Sequence, residues 1–176
     1  MPRNTIQPTC YDFECQATYG EAHAKKVAAV REKRERQQLR EAKERMRPRS
    51  FYVKLAQQWF NKFVKLRDMA AGYPCISSGR PLDWSGNAVD AGHYRSVGSA
   101  PHLRFDERNC HAQSKHDNQY KSGNIVEYRK GLIGRIGLEE VEALEADQTP
   151  KHYSIDELKQ LIAHYKMKCK QLSKGD

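Results

Sequence analysis

The sequence predicts an α+β domain: a compact two-strand-and-helix core surrounded by helices, preceded by a long basic helix. Three observations predict it. Apolar residues recur at three- and four-residue steps over 51–70 and 155–172, the pattern of core-facing helices. Short alternating runs near 89–93 and 109–113, bounded by Gly, Ser and Pro, read as strands. Residues 21–49 are helix formers with charge on every side.

Residues 1–20 carry little periodicity and read as a poorly ordered N-terminal arm. Cys10 and Cys15 form a C-x4-C pair with His23 further on. A metal knuckle needs a second ligand pair at matching spacing, and none follows, so these are read as ordinary thiols. Residues 21–49 form the expected basic helical arm. From Lys25 to Arg49 there are 11 Lys/Arg against 4 Glu, most of the chain's net charge of +9. Val27, Val30, Leu39 and Met46 are too sparse for a core stripe. Glu32–Arg36 and Glu41–Arg45 are i,i+4 pairs that support an exposed helix. The arm reads either as a solvated or partner-binding coil, or as a helix lying along phosphates. The charge surplus favours the second, with Lys33, Arg34, Arg36, Arg40, Lys43 and Arg45 as contacts.

Pro48 ends the arm and Ser50 is the expected cap of the next helix, so the folded domain is placed at 50–176. On that helix Tyr52, Leu55, Ala56, Trp59, Phe63 and Leu66 make the stripe, and Phe60 and Val64 widen it. A Gly/Pro/Ser loop over 72–79 precedes the first strand, on which Val89, Ala91 and His93 share one face and Asp90 and Gly92 the other. Strict alternation separates Asp90 from His93; a bulge at Gly92 would bring them together. On the second strand Asn109, His111 and Gln113 share a face, leaving Cys110 and Ala112 for the core. Asn124 is the expected cap of a helix to about Ile136, weakened by Gly131 and Gly134. A short helix over 138–146 follows. Ser154-Ile-Asp-Glu157 opens the last helix as a capping box, with Cys169 as a buried thiol.

The basic balance points to a polyanionic partner, most simply nucleic acid. No stretch approaches 18 apolar residues and no leader pattern opens the chain, so neither membrane insertion nor secretion is expected. Five irregularly spaced cysteines suit a reducing cytoplasm better than a disulfide framework. Four of the seven histidines fall within Ala88–Asn124, beside Asp90, Asn109, Asp117, Asn118 and Lys121. One histidine on a strand, as base, with oxygen-bearing side chains for a hard cation, is how a one-metal nuclease site can be built.

Several motifs in one order then carry a family resemblance: D-A-G-H-Y (90–94), L-R-F-D-E-R-N (103–109), H-x-Q (111–113), N-x-x-K-S-G-N (118–124), R-S-F-Y-V-K-L-A-Q-Q (49–58) and L-I-G-R-I-G (132–137). Over roughly residues 48–172 the chain closely resembles the NinG family of lambdoid phages, whose lambda member is the Rap recombination endonuclease. The resemblance implies a ββα-metal (HNH-like, His-Me finger) nuclease that cleaves branched DNA such as Holliday junctions and D-loops, phage-encoded and working in the host cytoplasm. Its expected cofactor is Mg2+ or Mn2+. Other implied partners are host or phage recombination proteins, and a homodimer is compatible.

Carried over by position, His93 matches the water-activating histidine. Asn109 matches the asparagine that pins the loop orienting the base, and Asn118 the helix metal ligand. Asp90 or His111 completes the coordination, and Lys121 stands where a cation meets the phosphate. Arg95, Arg104 and Arg108 add DNA contacts. A non-catalytic branched-DNA-binding protein is the alternative, and a helical-arm adaptor for a recombination or replication partner is a third. The lambda member carries C-x-x-C at positions matching 75/78 and 114/117, where this chain reads Cys75-Ile-Ser-Ser78 and Ser114-Lys-His-Asp117. Serine is a poor zinc ligand. A structural zinc is therefore not expected, hydrogen bonds and packing being expected to hold the two loops. A rearranged site from Cys75, Cys110, His111 and His116 is the alternative.

Overall fold

A computed structural model of the chain describes residues 12–173. The chain divides into two units, Met1–Arg47 and Pro48–Asp176. In the first, α1 spans Phe13–Arg45. Its start precedes the expected Glu21 because Asp12 caps it: the Asp12 carboxylate accepts from the Glu14 and Cys15 amides at 2.7 and 3.4 Å. Residues 13–20 of the expected disordered arm are thus helical. Residues 1–11, with Cys10, lie outside the described residues. No α1 residue is buried. Of the two expected i,i+4 pairs, Glu32–Arg36 forms at 2.6 Å, while Glu41 accepts from Gln37 at 2.9 Å.

The second unit is α+β and mostly helical, built on one two-stranded antiparallel sheet. Helix α2 spans Arg49–Ala70; Pro48 occupies its cap position, and no side-chain cap bond forms at Ser50. Its core face is rotated from the expected stripe. Phe60 and Val64 are fully buried, whereas Leu55, Trp59 and Leu66 stand half-buried at the margin.

Strands β1 (Val89–His93) and β2 (Cys110–Ser114) pair in unbroken register, Asp90 opposite Gln113, Gly92 opposite His111 and His93 opposite Cys110. No bulge interrupts Gly92, so Asp90 and His93 keep to opposite faces. The expected alternation on β2 holds, yet both of its faces are buried, because helices cover both sides. On the His93–Cys110 side lies a core from α2, Phe105, Tyr153 and α5 (Ile155–Leu172). On the other side α3 (Ile125–Ile136) and α4 (Leu138–Ala146) enclose Ile76, Tyr94, Leu103, Tyr128 and Leu132. The Tyr128 hydroxyl donates to the Gly92 carbonyl at 2.8 Å, fixing α3 to the sheet.

The capping box at α5 forms as the sequence suggests: Ser154 Oγ accepts from the Glu157 amide at 3.2 Å, and the Glu157 carboxylate from the Ser154 amide at 2.7 Å. Cys169 is buried. Asn124 stands at the α3 cap with φ 49° but makes no side-chain cap bond.

Candidate active site

The strand alternation that sets Asp90 on the α3 side of the sheet also sets it beside the turn after β2. There the chain makes a π-helical turn, His116–Tyr120. Asp90 Oδ2 accepts from Asn118 Nδ2 at 3.0 Å and Gln119 Nε2 at 3.1 Å. Asp90 and Asn118 are half-buried and Gln119 is exposed, so the cluster is open to solvent. A half-turn of each amide exchanges its N–H for a carbonyl oxygen; with both turned, three oxygen-bearing side chains face one point, the donor type a hard cation takes. Among the described residues no three His, Cys, Asp or Glu side chains gather around one point. A Mg2+ here would therefore rest on one carboxylate, two amides, water and phosphate oxygens, a donor set that suits this ion.

His93 ends β1 on the other face. Its Nε2 lies 3.0 Å from the Arg104 carbonyl, its Nδ1 3.7 Å from Cys110 Sγ, and its ring 5.9 Å from that of Phe60. Burial lowers its pKa, against the raising effect of the Arg104 carbonyl, so the ring is neutral at neutral pH. Asn109 is fully buried and spans the loop between the strands. Its Oδ1 accepts from the Arg95 amide at 2.8 Å, and its Nδ2 donates to the Arg95 and Leu103 carbonyls at 3.0 and 3.2 Å. It ties both ends of the segment that presents the Arg104 carbonyl to His93.

His111 is not with Asp90 and Asn118. Its Nε2 faces the Arg108 carbonyl at 3.1 Å, so that nitrogen carries the proton. Its Nδ1 accepts from Arg67 at 3.0 Å and Arg135 at 3.3 Å. Two guanidiniums at the free lone pair leave no approach for a cation. They flank the buried Asp68, which accepts from the Ala112 amide and Arg67 Nε at 2.7 Å and from Arg135 at 3.3 Å. Burial would raise the Asp68 pKa; the hydrogen bond and charge of Arg67, with the Ala112 amide, outweigh it and hold it at about 2. The one local signal of this network is a lone Asp in an apolar stripe.

The positions matching the two C-x-x-C pairs do converge. Ser114 N donates to Cys75 Sγ at 3.2 Å, Cys75 Sγ and Ser77 Oγ reach Asp117 Oδ2 at 3.6 and 3.3 Å, and the Asp117 amide reaches Ser114 Oγ at 3.2 Å. Lys121 Nζ, on a half-exposed side chain, lies 3.1 Å from Asp117 Oδ1. Burial works to raise the Asp117 pKa, but Lys121 and the serine hydroxyls hold it well below the usual carboxylate range. The rearranged set does not assemble, since Cys110 and His111 are occupied elsewhere on the sheet. Asp117→Ala is expected to destabilise the fold by about 1–3 kcal/mol, because Ser77 and Cys75 lose their buried acceptor. A urea titration at neutral pH measures this, and an unchanged midpoint would show that the cluster holds nothing. Gln113 also joins this cluster. Its Nε2 donates to Ser77 Oγ at 3.0 Å and the Gly123 carbonyl at 2.7 Å, while its buried Oε1 has no partner among the described residues.

The domain arginines meet protein partners, Arg108 on the exposed surface. Arg95 donates to the Leu144, Glu145 and Asp147 carbonyls at 2.8–3.2 Å, closing the C-terminus of α4. Arg104 reaches Gln57 at 3.2 Å, and Arg108 pairs with Asp106 and Glu140 at 2.8 and 2.7 Å. On α1, Lys33, Arg34, Arg36, Arg40, Lys43 and Arg45 are all exposed.

Residues 5–175 match the family model described as NinG, Bacteriophage Lambda NinG protein. Over 129 residues, 72% of this chain, the sequence is 45% identical to "Protein ninG" of Escherichia phage lambda and of Salmonella phage P22, covering 60% of each. It is 44% identical to the protein of that name from Escherichia phage 933W, covering 61%. The matched segment thus spans about three-fifths of these relatives' length. No solved structure matches, and no described helix is long and apolar enough to cross a membrane.

Proposed function

The chain belongs to the NinG family of bacteriophage proteins, and from that premise we propose that it is a structure-specific DNA endonuclease acting on branched recombination intermediates. The observation that carries this reading is the solvent-open cluster of Asp90, Asn118 and Gln119, where strand and following helical turn meet. In the proposed ββα-metal arrangement Asp90 and Asn118 hold the cation, and the residue that completes the coordination is Asp90 rather than His111. Bound there, Mg2+ or Mn2+ supplies polarisation of the scissile phosphate and relief of charge on the leaving oxygen. The exposed arginines and lysines of α1 are proposed to run along phosphates, giving affinity without reading sequence.

In this reading His93 takes the proton from the attacking water. Its ring has to turn from the Arg104 carbonyl toward the strand end to do so. One observation favours a second reading, a branched-DNA-binding protein without the chemistry: His93 lies on the sheet face away from Asp90, between Phe60 and Cys110.

Mg2+-dependent nicking of a synthetic four-way junction, by wild type and by His93→Ala, separates the two. As a general base, His93 is worth about 10²–10⁴-fold in rate, and the expected result is a loss of that size with junction affinity retained. The base must be neutral, and the neutral form prevails above its pKa. Since burial lowers that pKa, the acid limb of the rate profile is expected below the ordinary histidine value of about 6.5. Full nicking by a folded but less stable His93→Ala would leave His93 a core residue.

A further inference from the structure

Helices α2 and α5 cover the sheet face away from Asp90, and their outer surface carries an arrangement that the proposed cleavage site does not use. Contacts follow the same order along both helices: Lys159 over Tyr52, Lys166 over Trp59 and Lys168 over Phe63. The helices therefore run parallel, and their exposed lysines form two rows flanking the half-buried Trp59. Lys62 Nζ from α2 and Lys166 Nζ from α5 stand 5.4 and 5.3 Å from the centroid of that one ring.

Two ammonium groups share a single indole ring. The α5 lysines that meet carboxylates are Lys159, at 4.0 Å from Asp156, and Lys168, at 2.7 Å from Glu107. Among the described residues Lys62 and Lys166 have no carboxylate at ion-pair distance. The ring's quadrupole attracts each cation, and each keeps its full charge for an anion at the surface. The surface continues along α2 into a cleft where Lys62 and Lys65 face Trp84. Asp83 also lines the cleft, with its Oδ1 taken by the Ser85 amide at 2.9 Å and the Ser85 hydroxyl at 2.6 Å. Both tryptophans of the chain thus lie beside lysines on one surface.

We propose that this α2–α5 surface grips the phosphate backbone of a second duplex arm of a branched DNA, with Lys62 and Lys166 as its phosphate ligands. The proposal rests on the DNA reading above and deepens it. A branched substrate has arms that diverge. A cleavage site on one face of the sheet and a cationic surface on the other hold two of them at once, and plain duplex engages one surface at a time.

The test uses the full chain and a Lys62→Gln/Lys166→Gln double variant, titrated with a labelled four-way junction across a salt series without divalent metal. Every lysine withdrawn from a phosphate makes the slope of log K against log salt shallower by about 0.9, so removing two lowers it by about 1.8. Intrinsic emission supplies a second readout, since both tryptophans report on this surface. Junction binding should quench it, and Trp84→Phe, which leaves Trp59, should keep the response. An unchanged slope, or bound junction with unchanged emission, would overturn the proposal. So would an equal emission response to polyglutamate at equal charge, which would make the surface a docking site for acidic protein. A wild-type protein that binds junctions through this surface but never nicks them would sink the endonuclease reading and leave this one standing.

Discussion

Asp90→Asn is expected to abolish Mg2+-dependent nicking, by about 100-fold or more, while leaving the fold and junction binding in place. The substitution keeps the shape and one carbonyl oxygen for the bonds from Asn118 and Gln119. It removes the carboxylate charge, and no other acidic or imidazole group gathers there in a set of three among the described residues. A hard cation held by amides and water alone is bound weakly. Losing its several kcal/mol of charge stabilisation at the phosphate corresponds to at least two powers of ten in rate. Junction affinity measured without divalent metal should hold or rise slightly, because a negative charge near phosphate has been removed. Nicking at the wild-type rate would place the cation, or the chemistry, elsewhere. Together with His93→Ala this variant asks whether both faces of the sheet take part.

Gly131→Ala is expected to destabilise the domain by about 3 kcal/mol, near the upper end for overpacking, whereas Gly134→Ala should stabilise it by up to about 1 kcal/mol. Both glycines lie within α3, and by helix propensity alone both substitutions gain. The surroundings divide them. A Cβ on Gly131 would sit 1.9 Å from the Ile76 carbonyl oxygen, a backbone atom that cannot swing aside; around Gly134 nothing lies within 4 Å. Gly131 lets α3 approach the 75–78 turn that carries Cys75 and Ser77, so the clash strains the Asp117 cluster as well. For a chain of this size the loss corresponds to a melting temperature about 6–12 °C lower. Equal effects from the two alanines would show that α3 sits farther from that turn.

Much of this protein was legible in the residues alone, because helices and strands announce themselves over a few neighbouring positions. The Ser154–Glu157 capping box, the α4 span, the strand pair, the buried Cys169 and the exposed α1 need only local spacing and charge, and the motif order carried the family. Tertiary structure alone decided what each polar side chain meets, since its partner lies far along the chain. Arg95 looked free for DNA and instead closes α4 through carbonyls at 144–147. His111 looked equivalent to Asp90 as a ligand and was claimed by Arg67 and Arg135. Phe60 displaced Trp59 from the centre of the α2 stripe because the sheet and α5 cover that side. Gly131 looked like a weakness and is a point of close approach. Periodicity tells how far a residue is from its neighbours on one element. Whether the opposing element offers a carboxylate, a carbonyl or open space is set by packing, and packing assigned these roles.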